Sequence, residues 1–332
     1  MPQTKQDALS FLETQWSSIN DNKIKGIKAE AEFRQYLEDN EIHYIPGGWI
    51  LTPGKNTNVK IPSEHKICLL PMEKGFSWSK KNAHLFISPA LISAYNYFRQ
   101  VGVKTFFVEP TNVDETAFSV PKKSTGTKRA VYPRPYDLRF NTISPSGGLA
   151  KVDYAEVFSS FPPRDGNRGL RCYSQNRISI HSAPWNDSEL LKGLFWFEYT
   201  RYFCQVDFLI SNNDLDLFII GKSGGAYPIE LKSKSPVIDN SSGDWFGLDI
   251  GPFAKMAFFT ANSMNTDALY IVQEVDEQRT LVQWLGIRFT QLVKSCSWVG
   301  QAGGQGMSGG ASSTIKVPKA AFTELSILLR EL

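Results

Sequence analysis

The chain has 332 residues, of which 42% are apolar and 21% charged, and a formal net charge of +3. Those proportions supply a full hydrophobic core and exclude a disordered chain. The longest apolar runs, such as Leu217-Phe-Ile-Ile220, are far too short to span a bilayer, so no membrane association is expected.

Met1-Pro-Gln-Thr-Lys has no basic start followed by an apolar run, which argues against a secretory signal and for a cytoplasmic protein. Residues 5–42 read as helical, most clearly where Ile27, Ala31, Phe33 and Leu37 recur at helical spacing, with Asn40 as a stop. Pro46-Gly-Gly48 turns the chain into a strand-like Trp49-Ile-Leu51. Residues 52–120 look mixed, with short buried strands at Lys66–Leu70 and Lys104–Val108 and a helix at Ser88–Arg99 that carries Pro89 in its first turn. Residues 121–180, rich in Pro, Gly, Ser and Arg, read as a loop-and-strand insertion. Asn186, Asp187 or Ser188 can cap a helix from Glu189. Strands are then expected at Tyr202–Ile210, Leu215–Gly221 and Ala226–Ser233, a helix around Ile250–Phe259, and strands at Ala268–Gln273 and Leu281–Leu285. That order defines an α/β domain with a mixed central sheet flanked by helices.

Charge is unevenly spread. Residues 120–180 hold eleven Lys or Arg against four Asp or Glu, while the rest of the chain is net acidic. A basic segment of this kind is the electrostatic footprint of phosphate contact, although a solvated surface gives the same pattern. Arg129, Arg134, Arg139, Arg164, Arg168, Arg171 and Arg177 are the candidate contacts, with Tyr132, Tyr136 and Tyr173 among them.

The chemistry-bearing pattern is Tyr227-Pro-Ile-Glu-Leu-Lys-Ser-Lys234. Alternation along a strand puts Tyr227, Ile229 and Leu231 on one face and Glu230, Lys232 and Lys234 on the other. Gln205-Val-Asp-Phe-Leu-Ile210 also alternates, leaving Asp207 opposite Val206 and Phe208. If the two strands lie near each other in one sheet, Asp207 approaches Glu230. Two carboxylates with hard oxygens suit Mg²⁺, with Mn²⁺ as the alternative, and the Leu231 carbonyl can complete the shell. Such an ion activates water and neutralises charge on a phosphodiester, while Lys232 orients the water or stabilises the transition state. Asp214 and Asp216 are rival acids, but Asn212-Asn-Asp-Leu-Asp216 reads as a turn.

Asp207 followed by Glu230-x-Lys232 on a later strand resembles the PD-(D/E)XK nuclease superfamily, the restriction-endonuclease-like fold. Val206 stands where the family's proline usually precedes the aspartate. The resemblance covers roughly residues 186–290 and implies Mg²⁺-dependent hydrolysis of phosphodiester bonds. It also implies a helix after the Glu-x-Lys strand, matched by Pro252–Phe259, on which Lys255 faces the site. Many members carry a further acid on the first core helix. Glu30, with Glu32 beside it, is the first choice, and Glu189 and Glu198 compete. The corresponding division is an N-terminal helical segment at 1–51, with the first part of the nuclease core as its alternative reading, an accessory basic nucleic-acid-binding region at 52–185, and a nuclease core at 186–332 with a glycine-rich loop at 300–310.

Other chemistries fit poorly. His43, His65, His84 and His181 lack paired spacing, and Cys68, Cys172, Cys204 and Cys296 lack the short pairing of a thiolate zinc site. There is no Gly-x-Ser-x-Gly elbow and no Walker loop. Gly304-x-Gly306-x-x-Gly309 lies before a strand-like Ser312–Val317 and so lacks the context of a dinucleotide site; no nucleotide cofactor is expected. The resulting expectation is a DNA endonuclease of restriction or genome-defence type, with DNA as partner and a homodimer favoured by symmetric duplex cleavage. The alternatives are a structure-specific repair or resolution nuclease, an RNA-cleaving enzyme, and a nucleic-acid-binding protein on an inactive nuclease fold.

Overall fold

A computed structural model describes residues 21–53, 66–72, 88–111, 137–145, 148–163, 208–240, 243–263, 266–298, 301–302 and 313–332. Helix α1 (Asp21–Asp39) and strand β1 (Tyr44–Pro46) come first, followed by β2 (Trp49–Pro53) and β3 (Ile67–Pro71). Helix α2 (Pro89–Gln100) starts where the sequence predicts, since Ser88 Oγ accepts the Leu91 N–H at 3.1 Å and Pro89 occupies the first turn. Then come β4 (Lys104–Thr111), β5 (Asp137–Ile143), β6 (Leu149–Val152), the short helix α3 (Tyr154–Val157) and β7 (Ile210–Asp214). The last stretch holds β8 (Leu217–Ile220), β9 (Ala226–Lys234), β10 (Trp245–Asp249), α4 (Ile250–Asn262), β11 (Leu269–Val275) and β12 (Leu281–Arg288). It ends with α5 (Phe289–Ser295), β13 (Gln301–Ala302), β14 (Ser313–Pro318), β15 (Thr323–Glu324) and α6 (Leu325–Arg330). The protein is mixed α/β, as its alternating patterns imply.

The chain divides into two compact units. Unit 1 comprises residues 1–27, 48–87 and 104–214; unit 2 comprises 28–47, 88–103 and 215–332. The last boundary between the two units falls after Asp214. Helix α2, inside the stretch expected to be accessory, belongs to unit 2 because its Tyr97 and Phe98 rings pack on Phe218 and Phe259.

Unit 1 is built on a six-stranded sheet in the order β6-β5-β4-β3-β2-β7, with β3 and β4 parallel and the other pairs antiparallel. Its core holds Trp49, Leu69, Phe106, Phe140 and Phe158, and Phe208 stacks on Phe158 at 5.0 Å. The turn expected at Asn212–Asp216 is corrected here. Residues Ile210–Asp214 form strand β7, paired with β2 from Pro53↔Ile210 to Trp49↔Asp214. A full ladder of backbone hydrogen bonds to β2 outweighs the local turn preference of Asn and Asp.

Unit 2 has a six-stranded sheet in the order β1-β8-β9-β11-β12-β15, in which only β9 and β11 run parallel. A small sheet, β10-β14-β13, lies in the same unit. Helix α1 buries Ala29, Phe33 and Leu37 against the face lined by Leu217, Ile219, Ile229, Leu231 and Ile271. The other face, lined by Tyr270 and Val272, packs on Phe246 and Leu248 of β10, Met256 of α4 and Leu292 of α5. The sheet is thus covered on both sides, and a polar residue on either face is buried unless it lies where a strand ends.

Candidate active site at the end of the β8–β9 hairpin

Strands β8 and β9 pair antiparallel from Ile220↔Ala226 to Leu217↔Ile229, and β8 stops there while β9 runs on to Lys234. Extending the register by one step sets Asp216 opposite Glu230, on the face away from Ile229 and Leu231. The Asp216 backbone is held by Gly47, whose N–H donates to the Asp216 carbonyl at 3.2 Å. Gly47 allows that approach because a Cβ there would lie 1.5 Å from the Leu215 carbonyl oxygen. Beyond the last β8 pair, the Asp216 carboxylate takes over as acceptor: Leu231 N–H donates to Asp216 Oδ2 at 2.7 Å. N–H and C=O of an extended residue point to the same side, so the Leu231 carbonyl faces this edge as well.

Glu230 is only 2% exposed. Its Oε1 is ion-paired with Lys232 Nζ, and its Oε2 lies 2.8 Å from Lys255 Nζ. Lys255 comes from helix α4, as the helix following the Glu-x-Lys strand implies. On the parallel neighbour, Tyr270 is in register with Glu230. The Tyr270 hydroxyl donates to the Gly247 carbonyl at 2.9 Å, and Lys234 Nζ donates to the same oxygen at 2.6 Å. Asp249, just ahead of α4, accepts from Thr314 Oγ1 at 3.2 Å.

Burial and the two lysines set the charges. Burial raises the Glu230 pKa, but Lys255 and Lys232 outweigh it and hold the carboxyl below its ordinary value. Burial opposes the charge of Lys232, yet Glu230, Asp216 and Asp249 together push its pKa up, so it stays an ammonium. Asp216 moves the other way: burial, then the Glu230 charge, raise it to about 6. Burial also pulls Lys234 down. The cluster thus contains one firmly ionised carboxylate, a second one crowded by it, and two ammonium groups that neutralise both.

Glu230 and Lys232 share this site as strand alternation requires, and the Leu231 side chain points into the core under α1. Asp207 lies outside the described residues; the acid opposite Glu230 is Asp216. Helix α1 packs on the opposite face of the sheet from Glu230, where Glu30 pairs with Arg34 at 3.6 Å and Glu32 accepts from Gln273 Nε2. The structure therefore does not bring Glu30 or Glu32 to this cluster. Glu189 and Glu198 lie outside the described residues. Of the seven candidate arginines only Arg139 is described; it lies 3.2 Å from the buried Glu109, whose carboxylate also accepts from Asn141. Arg139 thus has a structural counter-charge. Arg129, Arg134, Arg164, Arg168, Arg171 and Arg177 lie outside the described residues, as do residues 303–312 of the glycine-rich loop.

The signal that identifies Asp216 in the sequence is symmetry. Asp216 and Glu230 are equidistant from Ser223 in the Ser223-Gly-Gly225 turn, so a regular hairpin sets them across from one another. Comparisons with models of protein families, with curated proteins and with solved structures found no match to this chain. No helix among the described residues is long and apolar enough to cross a membrane.

Proposed function

We propose that unit 2 carries a metal-dependent nuclease centre that hydrolyses DNA phosphodiester bonds, with Asp216, Glu230 and Lys232 as its catalytic groups. The reading rests chiefly on one observation: two carboxylates meet across the end of a hairpin, with a lysine two residues beyond one of them on the same face. This is the arrangement expected of a PD-(D/E)XK nuclease, with Asp216 taking the role that the sequence pattern suggested for Asp207. The basic composition of residues 120–180 supports a polyanionic substrate.

The donor set fits a hard divalent cation. Asp216 and Glu230 would contribute carboxylate oxygens, the Leu231 carbonyl shares their edge, and the Glu230 charge, which adds to burial in raising Asp216 to about 6, is a repulsion that a cation would relieve. Bound there, Mg²⁺ supplies an acidified water and charge neutralisation on the phosphodiester. Lys232 remains protonated, so it acts as a hydrogen-bond donor to the attacking water or a non-bridging phosphate oxygen and not as the base. Glu230 orients Lys232 through their ion pair, and the burial of Glu230 limits the screening of that pair by water.

The test is incubation of plasmid DNA with the purified protein in Mg²⁺ and in EDTA. Strand cleavage in Mg²⁺ that EDTA abolishes is expected. Absence of cleavage of DNA and of RNA in Mg²⁺ and Mn²⁺ would overturn the reading.

A further inference from the structure

Both oxygens of Glu230 already carry an ammonium, Lys232 at Oε1 and Lys255 at Oε2. The two lysines are held differently. Asp216 attracts both, but Lys232 belongs to the same strand and face as Glu230 and is attracted by Asp249 as well. Lys255 reaches in from α4, a separate element, on a four-carbon stem. A divalent ion on Glu230 Oε2 would meet the Lys255 ammonium, 2.8 Å from that oxygen, at a distance where two cations repel strongly in a poorly solvated site.

We infer that Lys255 is a resident cation that holds Glu230 in the metal-free protein and yields its place on Oε2 when a divalent ion binds. The inference takes the identity of the ion from the nuclease reading. It explains how the second oxygen of so deeply buried a carboxylate, the one Lys232 does not hold, faces a cation before metal arrives. It also means that metal affinity is set partly by the ease of moving Lys255. Once displaced, the ammonium stays tethered to α4 beside the site, where it is available to a phosphate oxygen.

The measurement is calorimetric titration of the metal-free full chain with Mn²⁺, without nucleic acid, for the parent, Lys255→Met and Lys255→Arg. Removing the competing charge is expected to lower the Mn²⁺ Kd about tenfold, while Lys255→Arg, which keeps the charge, binds no tighter than the parent. Equal or weaker binding by Lys255→Met, including no binding by either protein, overturns the inference. A second measurement uses the parent alone: acetic anhydride labelling of Lys255, read by mass spectrometry, is expected to speed up when Mn²⁺ is added. Labelling that is unchanged or slower overturns the inference even if Lys255→Met does not fold. Parent protein that cleaves DNA while Lys255→Met binds Mn²⁺ no tighter sinks this inference alone. Tighter binding by Lys255→Met with no cleavage by the parent sinks the nuclease reading alone.

Discussion

Glu230→Gln is expected to abolish Mg²⁺-dependent cleavage, by a factor of about 10³ or more, and to destabilise the fold at the same time. On the nuclease reading, the catalytic loss follows from the two roles proposed for Glu230, as a hard donor to the ion and as the partner that aims Lys232. The loss of stability has a separate cause. Glu230 is the shared counter-ion of Lys232 and Lys255, and the neutral amide would leave two ammonium groups facing each other. Breaking a buried pair by removing one partner costs ~3–5 kcal/mol. Lys232 keeps 30% and Lys255 18% of its side-chain exposure, so water screens part of the penalty and about 2 kcal/mol is the expected loss. Urea unfolding in EDTA reads it directly, and a variant as stable as the parent would contradict the ion-pair account.

Asp216→Asn is expected to move stability in the opposite direction. The ordinary aspartate pKa of 3.8 is raised to about 6 here, first by burial and then by Glu230. In the window from about 4 to about 6 the native state therefore binds more protons than the unfolded chain. Stability falls as pH rises through that window, and the penalty is complete above the native value. A shift of this size corresponds to about 3 kcal/mol at pH 7. The asparagine variant carries no such charge, and its Oδ1 can still accept the Leu231 N–H. In EDTA at pH 7 it should be more stable than the parent by about 2–3 kcal/mol, and the gap should close by about pH 4. A variant less stable than the parent at pH 7 would show that Asp216 is a structural cap and not a strained carboxylate. Two facing acids with opposite effects on stability are what a site poised for a cation should display.

Much of this was legible in the sequence, and the failures have local causes. The period-two pattern of Tyr227–Lys234 separated the core residues from Glu230 and Lys232, because a strand covered on one side by α1 must put Ile229 and Leu231 there. Ser88-Pro89 located α2 through capping chemistry that acts within one turn. Asp216 was harder to recognise because Asn212, Asn213 and Asp214 carry turn preferences that only pairing with a strand far away in sequence, β2, overrides. The position of Glu30 was hard to read for a related reason. The period of α1 shows which side is apolar, but not which face of the sheet it covers, and it covers the face that Glu230 does not share. Lys255 could be anticipated only through the family resemblance, since nothing local to α4 points a lysine at β9. Arg139 shows the limit of counting charge: a basic composition does not reveal that its guanidinium faces the buried Glu109.

The most direct measurement compares Mg²⁺-dependent cleavage of plasmid DNA by Asp216→Asn and Asp207→Asn under identical conditions. The centre built on the β8–β9 hairpin requires that Asp216→Asn lose cleavage by a factor of about 10³ while Asp207→Asn cuts like the parent. Cleavage retained by Asp216→Asn and lost by Asp207→Asn would contradict it and return the first catalytic acid to Asp207.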